Sequence, residues 1–119
     1  MRIVAFEDDP MIGMLLNMLL GSSQGIELHV ASTGREGLEK VDTLGPDLVL
    51  MDNELPDGEG SSFVSTLREE KGYRGVIAYL TARANDADWL ESHKSDVDAV
   101  LRKPIDPKTF LQEILALRP

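Results

Sequence analysis

Two hydrophobic periods alternate along this chain. Runs such as Ile3-Val4-Ala5-Phe6, Leu48-Val49-Leu50-Met51 and Val76-Ile77-Ala78-Tyr79-Leu80 are continuously apolar, as expected of parallel strands covered on both faces. Strands are expected over residues 2–6, 26–30, 48–51, 76–80 and 99–101. Between them, apolar residues recur at helical spacing. Asp9 can cap a first helix with Pro10 in its first turn, and Gly21 is a plausible stop. Met11, Leu15, Met18 and Leu19 fall on one stripe of that helix, and Met11, Met14 and Met18 read as core filling. Thr33 begins a second helix, with Leu38 and Val41 inward and Gly45-Pro46 at its end.

Turn formers from Leu55 to Gly60 lead into a third helix over residues 61–70, with Phe63, Val64 and Leu67 on its buried face. The fourth helix, residues 86–93, has the weakest pattern, with Trp89 and Leu90 as its large apolar residues. The sequence leaves Trp89 between packing on the fourth strand and standing exposed as a contact residue. Asp106-Pro107 repeats the cap-plus-proline start, and Phe110, Leu111, Ile114 and Leu115 define the last helix. Five such βα units predict an α/β fold: a flavodoxin-like, doubly wound, five-stranded parallel sheet with strand order 2-1-3-4-5 and five helices.

Polar residues stand just past the strand ends. Glu7 and Asp8 follow the first strand, Asp52 the third, Thr81 the fourth and Lys103 the fifth. In a parallel sheet these positions share one edge, where the carboxyl ends of the strands open into a crevice. The predicted order sets the first strand beside the third and so brings Glu7 and Asp8 close to Asp52. Three adjacent carboxylates repel one another, and a hard divalent cation removes the conflict. Magnesium suits oxygen ligands and keeps several waters, and manganese is an acceptable substitute. Asp8 and Asp52 are the expected direct ligands, with Glu7 acting through water and the Glu54 backbone carbonyl as another candidate. Asp52 can then attack a phosphoryl donor. Lys103 and the Thr81 hydroxyl would each serve one phosphoryl oxygen, and Ala82 is small enough to leave the entrance open.

Composition narrows the alternatives. At 119 residues the chain is expected to form one domain over residues 1–119, and 42% hydrophobic content fits a folded globule. A net charge of −9, from 21 acids against 12 bases, argues against direct nucleic acid binding by this segment. The absence of cysteine excludes disulfides and zinc–thiolate sites and fits a cytoplasmic protein. Neither a signal peptide nor a membrane span is visible, so a soluble chain is expected.

Taken singly, each candidate has an ordinary explanation. Asp9 reads as a helix cap and is left out of the site. Thr81 alone would cap a helix, and Lys103-Pro104 alone would be an exposed turn. Acids at positions 7 and 8 are favoured near a helix N-terminus. Asp52 is harder to dismiss, because an acid that ends an apolar strand is not an ordinary surface residue. His29 and His93 have no third ligand at suitable spacing and read as surface histidines.

Four segments carry a resemblance: residues 3–10 (IVAFEDDP), 47–60 (DLVLMDNELPDGEG), 80–82 (LTA) and 101–104 (LRKP). Asp8, Asp52, Thr81 and Lys103 follow one another at spacings of 44, 29 and 22 residues. Over its whole length the chain resembles the receiver domain of bacterial two-component response regulators. The resemblance implies that Asp52 accepts phosphate from a histidine kinase or phosphotransfer protein. It further implies magnesium at Asp8 and Asp52 with help from Glu7, and a cis Lys103-Pro104 bond. Thr81 would move toward the phosphate and repack the fourth helix, fifth strand and fifth helix, changing the binding of a downstream protein or effector domain. Such a domain is a phosphoacceptor that assists its own phosphorylation and dephosphorylation rather than an enzyme. A phosphorylation-dependent dimer stays open.

Three positions depart from the commoner family residues. Val100 replaces an aromatic residue, Ile105 a phenylalanine, and Asn53 an apolar residue. Glu54 and Arg83 are expected to pair across the mouth of the site and hinder an attacking water. A phosphate-independent interaction module and a metal-dependent phosphohydrolase are the competing readings. The second is disfavoured because Glu54, not an aspartate, lies two residues past Asp52, and no substrate-binding cap is encoded.

Overall fold

The computed structural model describes residues 1–23 and 25–119. Five parallel strands form the sheet: β1 (Arg2–Phe6), β2 (Glu27–Ala31), β3 (Leu48–Met51), β4 (Val76–Thr81) and β5 (Ala99–Arg102), in the order β2-β1-β3-β4-β5. This is the flavodoxin-like arrangement expected from the apolar periodicity. The helices are α1 (Pro10–Leu16), α2 (Gly34–Leu44), α3 (Gly60–Ser65), α4 (Ala87–His93) and α5 (Phe110–Leu115). Among the described residues, no helix is long and apolar enough to cross a membrane.

Strand alternation divides the core into two layers. Ile3, Ala5, Leu48, Leu50, Ala78, Leu80 and Leu101 face α1 and α5, where Leu16, Leu20, Phe110 and Ile114 meet them. Val4, Phe6, Val49, Met51, Ile77 and Tyr79 face the other way, against Val41 of α2, Val64 of α3, Leu67 just beyond it and Trp89 of α4. Every residue of β3 is buried, as its uninterrupted apolar run requires.

The helix ends follow their capping residues. The Asp9 carboxylate accepts the Met11 N–H, Thr33 Oγ1 accepts that of Glu36, and Gly45 closes α2 in the left-handed conformation (φ 56°). Both α1 and α3 stop short of their expected ends and widen into π-turns, Asn17–Gly21 and Thr66–Glu70. At each transition a polar side chain bonds back one turn, Asn17 Nδ2 to the Gly13 carbonyl and Thr66 Oγ1 to that of Ser62. The expected start of the last helix also shifts. Asp106 Oδ1 accepts the Lys108 N–H in a preceding turn, and α5 proper begins at Phe110.

One expectation about the core fails. Met11, Met14 and Met18 are 77%, 66% and 69% exposed, so they fill no core. Residues 11–20 are apolar except at Gly13 and Asn17, and spacing alone therefore selects no face. The branched residues turn inward: Leu16 and Leu20 are buried, with Ile12, Leu15 and Leu19 packed against the same layer. The thioethers are left in an exposed row.

Candidate functional site

Strand register builds the site. Phe6 is paired with Met51, so Glu7 and Asp52 leave the sheet side by side. Met51 is paired with Tyr79, and Thr81 with Arg102, which brings Thr81 and Lys103 to the same edge. Backbone bonds extend the edge beyond the strands: Asp52 N–H donates to the Phe6 carbonyl (3.1 Å) and Lys103 N–H to the Thr81 carbonyl (3.0 Å). Here an open cavity of about 590 Å³ is lined by Glu7, Asp8, Asp52, Glu54, Ala82 and Lys103, among others.

Among the described residues, Glu7, Asp8 and Asp52 form the one group of potential metal-ligating side chains, with one oxygen from each within 4.8 Å of the others. Asp8 is exposed, whereas Glu7 and Asp52 retain 3% and 8% of their accessible surface. Lys103 Nζ lies 2.7 Å from Glu7 Oε1 and 3.4 Å from Asp52 Oδ2. The closer contact is an ion pair without good hydrogen-bond geometry, since Glu7 Oε1 has no hydrogen-bond partner. Burial, and secondarily the Asp52 charge, push the Glu7 carboxyl up to about 7 against the pull of Lys103. One ammonium does not compensate the carboxylates gathered around it. The Lys103-Pro104 bond is cis, as the resemblance implied.

Thr81 reaches the edge but does not face the cavity. It is fully buried; its hydroxyl donates to Asn53 Oδ1 (2.8 Å) and accepts the Arg83 N–H (2.9 Å). The expected Glu54–Arg83 pair is not formed. Arg83 Nη2 instead binds Asp86 Oδ2 at 2.9 Å, three residues along the chain, and its guanidinium lies 5.9 Å from the centre of the Trp89 ring. The nearer acid takes the cation, leaving Glu54 exposed.

Two features of the segment after Asp52 are not apparent from the sequence. A Cβ at Gly60 would lie 2.0 Å from the Asp52 carbonyl oxygen, so only glycine lets α3 start against the Asp52 backbone. The segment after Asp52, expected as a loop, folds into a minimal hairpin pairing Glu54–Leu55 with Gly58–Glu59. At its tip the Asp57 carboxylate accepts the Gly34 and Arg35 N–H groups at the start of α2, and these bonds hold its carboxyl below the usual range. The glycine was legible only as a turn former, and the Asp57 contact spans too much sequence for any local signal.

The remaining aromatic and imidazole groups are structural. Trp89 is buried, edge-on to Tyr79 with ring centroids 5.1 Å apart, and His93 stacks on it at 4.4 Å. Trp89 therefore packs on the fourth strand rather than standing free. His29 contacts Glu27 at 2.8 Å on the edge strand, remote from His93 in the fold.

The family model for the response regulator receiver domain matches residues 3–115. The chain belongs to the response regulator receiver domain family. It is 32% identical over 115 residues to the DNA-binding response regulator MtrA of Mycolicibacterium smegmatis, covering 97% of this chain and 49% of that protein. The chain thus spans about half the length of the curated relatives it matches. The BeF3-activated receiver domain of Klebsiella pneumoniae RstA superposes with a TM-score of 0.84 at 28% identity, covering 98% of this chain and 97% of that one. The response regulator TrrA of Thermotoga maritima, solved in complex with Mg2+-BeF, gives a TM-score of 0.81 at 28% identity with the same coverage. This receiver domain shares their overall fold.

Proposed function

We propose that this receiver domain is a phosphorylation-dependent switch in which Asp52 accepts a phosphoryl group from a phosphohistidine on a histidine kinase or phosphotransfer protein. The placement of Asp52 carries the reading. It is a buried carboxylate ending the central strand, in an open crevice, with Glu7 and Asp8 on one side and an ammonium 3.4 Å away on the other.

The donor set fits a hard divalent ion. Octahedral oxygens about 2.1 Å from a magnesium ion lie roughly 3 to 4.2 Å from one another, which the carboxylate cluster accommodates. Asp8 and Asp52 would hold magnesium or manganese, with Glu7 acting through water and the Glu54 backbone carbonyl completing the protein ligands. When bound, the ion supplies charge neutralisation for one phosphoryl oxygen.

The chain's own groups do the rest. An Asp52 carboxylate oxygen attacks phosphorus, the P–N bond breaks, and the imidazole leaves with the electron pair. Lys103 neutralises a second phosphoryl oxygen, and the Thr81 hydroxyl donates to a third once it leaves Asn53. The same crevice admits the water that later hydrolyses the aspartyl phosphate. The domain therefore assists its own modification and turns over no separate substrate.

Met11, Met14 and Met18 give the donor an apolar surface on α1 and the π-turn that continues it, next to the Asp9 cap at the rim of the crevice. Output runs through α4, β5 and α5 to a downstream protein or effector domain, such as the remainder of MtrA-like regulators would supply, or to a phosphorylation-dependent dimer. Direct nucleic acid contact by this acidic segment is not part of the reading, and its place is the cytoplasm.

Intact mass after incubation with acetyl phosphate and magnesium tests the proposal. The expected adduct is about 80 Da, dependent on metal and lost in Asp52→Asn. No adduct would reduce the chain to an interaction module that keeps the fold.

A further inference from the structure

We propose that Asn53 is a positioning residue that holds the Thr81 hydroxyl in the resting state and so sets how readily the switched state forms. The proposal deepens the phosphoacceptor reading of Asp52 and rests on it. Because Met51 is paired with Tyr79, continuing the register by two residues brings Asn53 opposite Thr81. The contact follows from that register: Thr81 Oγ1 accepts the Arg83 N–H at 2.9 Å and directs its single proton to Asn53 Oδ1 at 2.8 Å. With Thr81 fully buried, water offers the hydroxyl no substitute acceptor.

A hydroxyl has one proton to give. It cannot serve the Asn53 carboxamide and a phosphoryl oxygen on Asp52 together, so switching requires the first bond to break. The Asn53 backbone is itself fixed, its carbonyl accepting the Gly60 N–H at 3.0 Å, and release therefore falls to the side chain. An apolar residue at position 53 would leave the hydroxyl with no partner on that side, raising the resting state and lowering the barrier to the switched one.

The released motion has a defined route. The Arg83 N–H follows the Thr81 oxygen, while the Arg83 side chain is bound to Asp86, whose carboxylate caps α4 through the Trp89 N–H. The guanidinium also lies over the Trp89 ring. Displacement of Thr81 thus arrives at the start of α4 and at the chain's single tryptophan.

The test titrates beryllofluoride with magnesium, read by Trp89 fluorescence, in wild type, Asn53→Leu and Asn53→Ala, each also with Thr81→Val. Both Asn53 variants should bind the phosphoryl mimic about 2- to 10-fold more tightly, the net worth of one hydrogen bond. In the Thr81→Val background the same substitutions should have no effect. An equal gain in both backgrounds, or none in either, overturns the proposal. A second arm needs no phosphoryl chemistry: the Thr81 χ1 populations and the Arg83 amide shift in the metal-free protein, measured by NMR. Both should move on Asn53→Leu, and an unmoved pair refutes the latch. Failure of wild type to respond to beryllofluoride would instead count against Asp52 as acceptor, with the NMR arm still deciding the role of Asn53.

Discussion

Glu7 is expected to make the metal-free domain sensitive to pH, and Glu7→Gln isolates the effect. Its carboxyl moves from an ordinary 4.5 to about 7, chiefly through burial. The folded state therefore holds this proton more tightly than the unfolded chain does. The associated stabilisation is complete below pH 4.5 and is lost as pH rises through about 7. A rise of this size corresponds to roughly 3 kcal/mol. Solvent screens the Glu7 charge little, because the residue is only 3% exposed. The assay is urea unfolding in EDTA at pH 5, 6, 7 and 8, taking the stability difference between wild type and Glu7→Gln at each pH. That difference cancels the titration of every other group to first order. It should fall by roughly 2 to 3 kcal/mol between pH 5 and pH 8 in the direction that weakens wild type. A difference that is flat, or that favours wild type as pH rises, would show that Lys103 compensates the buried charge fully, and the account of Glu7 would be wrong.

Gly60→Ala should destabilise the domain by about 1 to 3 kcal/mol, because its Cβ would lie 2.0 Å from the Asp52 carbonyl oxygen. It should also slow labelling by acetyl phosphate; a thermal melt and a mass time course that both match wild type would reject the close approach. Met14→Glu, on a side chain 66% exposed, should change stability by no more than about 0.5 kcal/mol and leave acetyl phosphate labelling intact. Transfer from a phosphohistidine protein should slow by about tenfold, equivalent to ~1.4 kcal/mol. Equal slowing with both donors would place the defect in the crevice rather than on the docking face.

Asp52, Glu7 and Lys103 were legible because each interrupts or ends an apolar run, and a parallel sheet gathers all such ends at one edge. The caps at Asp9 and Thr33 were legible because capping is local chemistry. The row of methionines was not, since a segment apolar nearly all round gives no moment to orient it. Contacts set by three-dimensional register escaped as well. The Thr81–Asn53 bond depends on how β3 and β4 align, and the Asp57 cap of α2 joins segments more than twenty residues apart. The expected Glu54–Arg83 pair shows the same limit from the other side: equal offsets from two strand ends do not bring side chains together when a nearer acid is available.

The crevice draws its groups from strands far apart along the chain, and its completeness therefore depends on the whole sheet. The three carboxylates of Glu7, Asp8 and Asp52 directly follow β1 and β3, neighbours in the sheet and both in the first half of the sequence. Lys103 arrives only when β5 pairs with β4 at the far side. The lysine that offsets these negative charges thus directly follows the last strand of the sheet to be synthesised. No partially folded form lacking β5 contains the whole constellation, so a complete crevice reports that the last strand has docked.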